Sequence, residues 1–132
     1  LKGYSSNQEW QQCGNKHRST KENKVKLFRL VTERWKDTFI SNIQSSPGEV
    51  EHWPIMNGKR CPCGTWIVRA KQEQLFEAEG LENLDKAHEA LHFVAVSLKV
   101  QYEDGNIDAA REGLPKLQAG FDDMNNALGL CE

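Results

Sequence analysis

From Leu81 to Tyr102 the residues Leu81, Leu84, His88, Leu91, Ala95, Leu98 and Tyr102 recur at alternating steps of three and four. An α-helix, with 3.6 residues per turn, returns such positions to one side; a strand, with period two, scatters them over both faces. The same rhythm resumes after the turn-forming string Asp104-Gly105-Asn106, in Ile107, Ala110, Leu114, Leu117, Phe121, Met124 and Leu128. Two amphipathic helices joined by so short a turn pack as antiparallel neighbours and need further helices to cover their apolar sides. The expected class is therefore all-α, a four-helix bundle. Pro115 lies inside the second seam, where its missing N–H removes a backbone hydrogen bond, so a kink is expected there.

Earlier in the chain, Ser19 and Glu22 have the spacing of a capping box, which marks a helix start. Phe28, Val31, Trp35, Phe39 and Ile43 then define one helical face, which also carries Thr32, and Ser45-Ser46-Pro47-Gly48 stops the helix near Gln44. Residues 49–60 read as a loop containing His52, Trp53 and Pro54. The string Cys61-Pro62-Cys63-Gly64-Thr65-Trp66-Ile67 opens a short extra helix expected near Thr65, with Trp66 anchoring it in the core. A further helical stretch is expected around Lys71 to Glu79, interrupted by Gly80. Residues 1–18 are polar and read as a lead-in or frayed helix, leaving residues 19–132 as a single domain. The chain begins Leu1-Lys2-Gly3, without Met, and is expected to be a piece of something longer.

Composition narrows the functional classes. A hydrophobic share of 38% against 27% charged residues suits a folded domain rather than a disordered one. The net charge is −2, and the densest basic stretch, Lys16 to Lys26, is diluted by Ser, Thr, Asn and Glu, so no nucleic-acid track is expected. No apolar run approaches the roughly 20 residues of a membrane span. Four cysteines, Cys13, Cys61, Cys63 and Cys131, are too few for a disulfide scaffold. A Cys13–Cys131 bridge joining the chain ends remains open on sequence grounds, whereas Cys61 and Cys63 are too close to pair comfortably.

The residues that carry chemistry are His88, His92 and the cysteine pair. Histidines four apart project from one helical face, so two imidazoles can reach one metal ion without the entropy cost of a loop. They fall on or beside the apolar seam, where a polar group without a partner costs about 1–3 kcal/mol. His88-Glu89-Ala90-Leu91-His92 also matches the H-E-x-x-H string of zinc peptidases, with Glu89 as general base. No downstream histidine supplies a third ligand and no strand signal supplies a substrate edge, so a solvated carboxylate is the expected reading of Glu89. Cys61 and Cys63 are soft ligands, although C-x-C suits tetrahedral coordination less well than C-x-x-C. Either could instead be an inert small hydrophobe or a disulfide partner.

Read as C-x-x-G-x-W, the segment Cys61–Trp66, followed by His88 and His92 and preceded by an aromatic-centred helix around Trp35, resembles the chemoreceptor zinc-binding domain family of bacterial chemoreceptors and diguanylate cyclases. The likeness runs from about Val25 to Leu128. It implies a zinc-binding, non-enzymatic sensor of metal or oxidant, with Cys61, His88 and His92 as ligands and Trp35 and Trp66 as structural aromatics. It further implies a homodimer, a downstream signalling module in the same parent chain and a cytoplasmic location. The family carries another histidine three residues before the aromatic that aligns with Trp35; this chain has Thr32 there. Cys63 or His52 could replace that ligand, a water or outside ligand could hold the position, or the metal could be lost. The alternative function is an extracytoplasmic, periplasmic four-helix sensor that binds a small molecule without metal.

Overall fold

The computed structural model describes the backbone of residues 16–132 and their side chains from residue 20 onward. It is an all-α helical bundle, with no strand among the described residues. Helix α1 spans Lys16–Gln44, a 3-10 turn follows at Pro47–Glu49, and α2 spans Pro62–Gln72. Helices α3 (Ala78–Glu103), α4 (Ile107–Glu112) and α5 (Leu114–Cys131) complete the chain. Two compact units meet within α1, at the step from Leu30 to Val31. In the first, α1 buries Val25 and Phe28 and exposes Leu27 and Leu30. All candidate site residues lie in the second, residues 31–132. No described helix is long and apolar enough to cross a membrane.

Helix α3 is the spine of the second unit and packs on α2, α4 and α5. It buries Leu81, Leu84, His88, Leu91, His92, Ala95, Leu98 and Tyr102, which is the predicted seam with His92 added. Helix α5 answers with Leu117, Phe121, Met124 and Leu128. Each fully buried Leu, Phe or Met contributes roughly 1.5–3 kcal/mol of apolar transfer, well above helix-propensity differences of under 1 kcal/mol per residue, so packing decides which face turns inward. The helices approach closely at Gly120, where an added Cβ would lie 3.1 Å from Leu91 Cδ1.

The proline in the last seam breaks the rod outright. Helix α4 ends at Glu112, Gly113 caps it, and α5 begins at Leu114 with Pro115 in its first turn, where no intrahelical N–H partner is needed. Gly113 lets Leu98 pack directly on this junction, since an added Cβ would displace the Leu98 Cδ2 methyl. At the other end of the unit, Arg111 donates from Nε to the Ile43 carbonyl (3.0 Å) and from Nη2 to those of Gln44 (3.3 Å) and Ser45 (3.2 Å). A guanidinium thus satisfies the last carbonyls of α1 and opposes the helix dipole.

Three boundaries depart from the sequence reading. Helix α1 is already formed at Lys16, so Ser19 lies within it and not at its cap. Helix α2 begins at Pro62 rather than near Thr65, because Pro62 suits the first helical position and the Cys61 sulfur caps it. The stretch around Lys71 to Glu79 is not one helix: α2 ends at Gln72, Gln74 takes a left-handed conformation (φ 53°), and α3 restarts at Ala78 with Gly80 inside its first turn. The turn at Asp104-Gly105-Asn106 is as expected, with Gly105 at φ 92°, a region glycine occupies without steric cost.

Candidate metal centre

Cys61, His88 and His92 meet in the interior of the second unit, with one ligand atom from each lying within 4.8 Å of the others. The Cys61 sulfur is 3.1 Å from His88 Nε2 and 3.3 Å from His92 Nε2. All three residues are buried, at 0%, 2% and 7% exposure. The arrangement is local at both ends. One turn of α3 fixes the imidazoles with their rings 4.5 Å apart. The N-cap of α2 fixes the sulfur, which accepts the Gly64 N–H at 3.2 Å.

Gly64 makes this approach possible. A Cβ there would overlap the Gly58 carbonyl oxygen and stand 3.2 Å from His88 Cε1. The loop backbone therefore lies directly on the start of α2, with His88 beside it. This close packing is what the glycine at position 64 permits.

The loop holds the second imidazole. His92 Nδ1 is 3.0 Å from the Met56 carbonyl, and one residue earlier Trp35 Nε1 donates to the Ile55 carbonyl at 2.8 Å. The Trp35 ring also meets His92 edge-on, with centroids 5.1 Å apart, and stacks on Phe39 at 5.3 Å. A carbonyl only accepts, so Nδ1 carries the proton in this contact, and Nε2 is left facing the Cys61 sulfur. This is the outer hydrogen bond that orients a metal-ligating histidine.

The two thiols differ sharply. Cys61 is held far below the ordinary thiol range, chiefly by a hydrogen bond from the Cys63 side chain; burial opposes this, while contacts with His88, His92 and the Gly64 N–H add to it. Cys63 is pushed up by the same hydrogen bond and by burial, against a lowering from Thr32, and the charge on Cys61 adds to the rise. Of the two thiols, Cys61 is the more readily ionised. As a thiol, Cys61 would instead donate to the Gly58 carbonyl at 3.6 Å.

One sulfur and two imidazole nitrogens gathered in a buried site, with sulfur–nitrogen separations of 3.1 and 3.3 Å, form a donor set that fits a metal ion. Soft sulfur and borderline nitrogen are the donor set of zinc and neighbouring transition metals, not of calcium or magnesium. The group is therefore positioned to bind a metal ion.

The remaining candidates fall at different distances from this centre. Cys63 is buried beside Cys61, with its sulfur 3.2 Å from Thr32 Oγ1. Thr32 is itself buried, so the α1 position that resembles a ligand position adjoins the site without a nitrogen to offer. His52 is exposed and lies outside the cluster; its carbonyl accepts from Asn42 Nδ2 at 2.9 Å. Glu89 is exposed, because one residue beyond His88 turns about 100° away from the buried face. Trp66 does not anchor α2 in the core: it is half-buried, and the helix buries Cys63, Ile67 and Ala70 instead. Cys131 is a partly exposed free thiol near Gly80; its proposed partner Cys13 lies outside the described residues.

Sequence reasoning missed the loop's part. Trp53 packs on Phe39 (5.5 Å) and Tyr102 (5.6 Å), and the ammonium of Lys99 lies 5.4 Å from its ring centre. These contacts fix the loop that presents the Ile55 and Met56 carbonyls. An aromatic beside proline in a polar loop was the available signal. Compared with known proteins, the chain matches no family model, no curated protein and no solved structure.

Proposed function

We propose that this chain is a zinc-binding sensory domain of a bacterial signalling protein, of the chemoreceptor or diguanylate cyclase type that its C-x-x-G-x-W and paired-histidine pattern resembles. The observation that carries the reading is the buried triad of Cys61, His88 and His92, with sulfur 3.1 and 3.3 Å from the two nitrogens. Zinc supplies no redox chemistry of its own but holds a cysteine as thiolate, which an oxidant or a competing metal can attack. Loss of the Cys61 contact would release the start of α2 from α3 and the loop, a local event that α1 and α5 pass to an output module in the same parent chain. A homodimer in the cytoplasm and the absence of enzymatic activity belong to the same reading.

Metal analysis of the purified chain tests it. One equivalent of zinc in the wild type, lost in Cys61→Ala and in His88→Ala, is the expected result. A wild-type chain that takes up no zinc overturns it.

A further inference from the structure

We propose that Cys63 is the fourth ligand of this centre, completing a set of two thiolates and two imidazoles, and that the Thr32 hydroxyl donates to its sulfur from outside the coordination shell. The inference rests on the metal reading above and deepens it.

Charge is the first argument. A divalent ion held by one thiolate and two neutral imidazoles keeps a net positive charge, and the three ligand residues are at most 7% exposed. An uncompensated buried charge is costly, whereas a second thiolate makes the site neutral. Coordination number is the second argument. Structural zinc sites close with four protein ligands, and an open position serves catalysis on substrate that can reach it. Here the ligand residues are sealed from solvent.

Geometry supplies the candidate. Cys63 is 4% exposed and shares the first turn of α2 with Cys61, to which it hydrogen-bonds. Its hydrogen-bond partner, the Cys61 sulfur, is itself one of the three atoms gathered within 4.8 Å of one another. His52, the other candidate, is exposed on the loop. Thr32 offers the only other described side-chain hydrogen bond to the Cys63 sulfur, at 3.2 Å from α1. A hydroxyl there both orients a thiolate and stabilises its charge, as outer-shell partners of metal ligands do.

X-ray absorption of the zinc-loaded wild-type chain counts the sulfurs directly: two are expected, and one overturns the assignment. With cobalt(II) in place of zinc, the thiolate-to-metal charge-transfer intensity per cobalt should fall by half in Cys63→Ser and in Cys61→Ser alike. An unchanged intensity in Cys63→Ser overturns it. Thr32→Val should weaken zinc binding about 10- to 100-fold while the sulfur count stays at two; unchanged affinity removes Thr32 from the proposal. A wild-type chain that binds neither zinc nor cobalt defeats the metal reading itself, whereas one that binds with a single sulfur defeats only this inference.

Discussion

Replacing Gly64 by alanine should destabilise this protein, against the usual trend for such a change in a helix. Ordinarily the added methyl restricts the unfolded chain and favours the helix by about 0.4–1 kcal/mol. At Gly64 the methyl would overlap the Gly58 carbonyl oxygen and lie 3.1 Å from its carbon and 3.2 Å from His88 Cε1. The first obstacle is backbone, which cannot rotate aside as a side chain would. Either the loop at Gly58 or the start of α2 must shift, at an overpacking cost of typically 1–3 kcal/mol. The net expected loss is about 1–2 kcal/mol, with weaker zinc binding because Cys61 moves with the first turn of α2. Gly129→Ala provides the internal control. It also lies in a helix, α5, but nothing stands within 4 Å of the added atom, so the ordinary stabilisation of about 0.4–1 kcal/mol should appear. Urea unfolding of both variants, with and without zinc, gives the comparison. A Gly64→Ala chain as stable as the wild type, with full zinc affinity, would refute the close packing of loop, helix and histidine.

Three further substitutions test other parts of the structure. Trp35→Phe removes the donor to the Ile55 carbonyl, 2.8 Å away, and should cost about 1–3 kcal/mol while weakening zinc binding, since Met56, the next residue, orients His92; equal stability and affinity in the variant contradict this. Arg111→Met strips the exposed side-chain donor from the last carbonyls of α1, where water partly replaces it, and should lower stability by about 0.5–1.5 kcal/mol in a denaturation experiment without changing zinc stoichiometry. Glu89→Gln alters an exposed carboxylate and should leave stability within about 0.5 kcal/mol and metal content unchanged, as measured by calorimetry and metal analysis; loss of metal would place Glu89 in the site after all.

What could be read from the sequence follows the reach of the forces involved. The seams of α3 and α5 were legible because burial imposes a period, and the period is written in consecutive residues. The pairing of His88 with His92 was legible for the same reason, since one helix fixes both. The contact of Cys61 with them was proposed from pattern, because sequence cannot measure a distance across 27 positions. Helix starts were less legible. A thiol as the N-cap of α2 is outside the usual Ser, Thr, Asp and Asn set, so Thr65 looked like a better signal than Cys61. Trp66 was misplaced because the inward face of α2 is set by packing: Cys63, Ile67 and Ala70, three and four residues apart, turn inward and leave Trp66 half-buried. The backbone carbonyls of Ile55 and Met56 carry no side-chain identity at all, so no residue pattern could reveal them.

The Cys61 sulfur has two duties, and their coincidence bears on the proposed sensing role. It faces the histidines, and it also accepts the Gly64 N–H that opens α2. A capping interaction is typically worth about 1 kcal/mol, so oxidising or displacing this sulfur removes a metal ligand and weakens a helix start in one event. The consequences converge on a small region. Gly58 lies against Gly64, and Met56, two residues before Gly58, holds His92. Helix α1 touches the same region twice, through Trp35 on the Ile55 carbonyl and Thr32 on Cys63. A sensor needs an element whose two states differ by only a few kcal/mol and which a chemical event can bias. The first turn of α2, capped by the Cys61 sulfur and packed against loop, α1 and α3, has the energy scale and the connections for that role. The long packed seam between α3 and α5 does not, because opening it would expose several fully buried apolar residues at roughly 1.5–3 kcal/mol each.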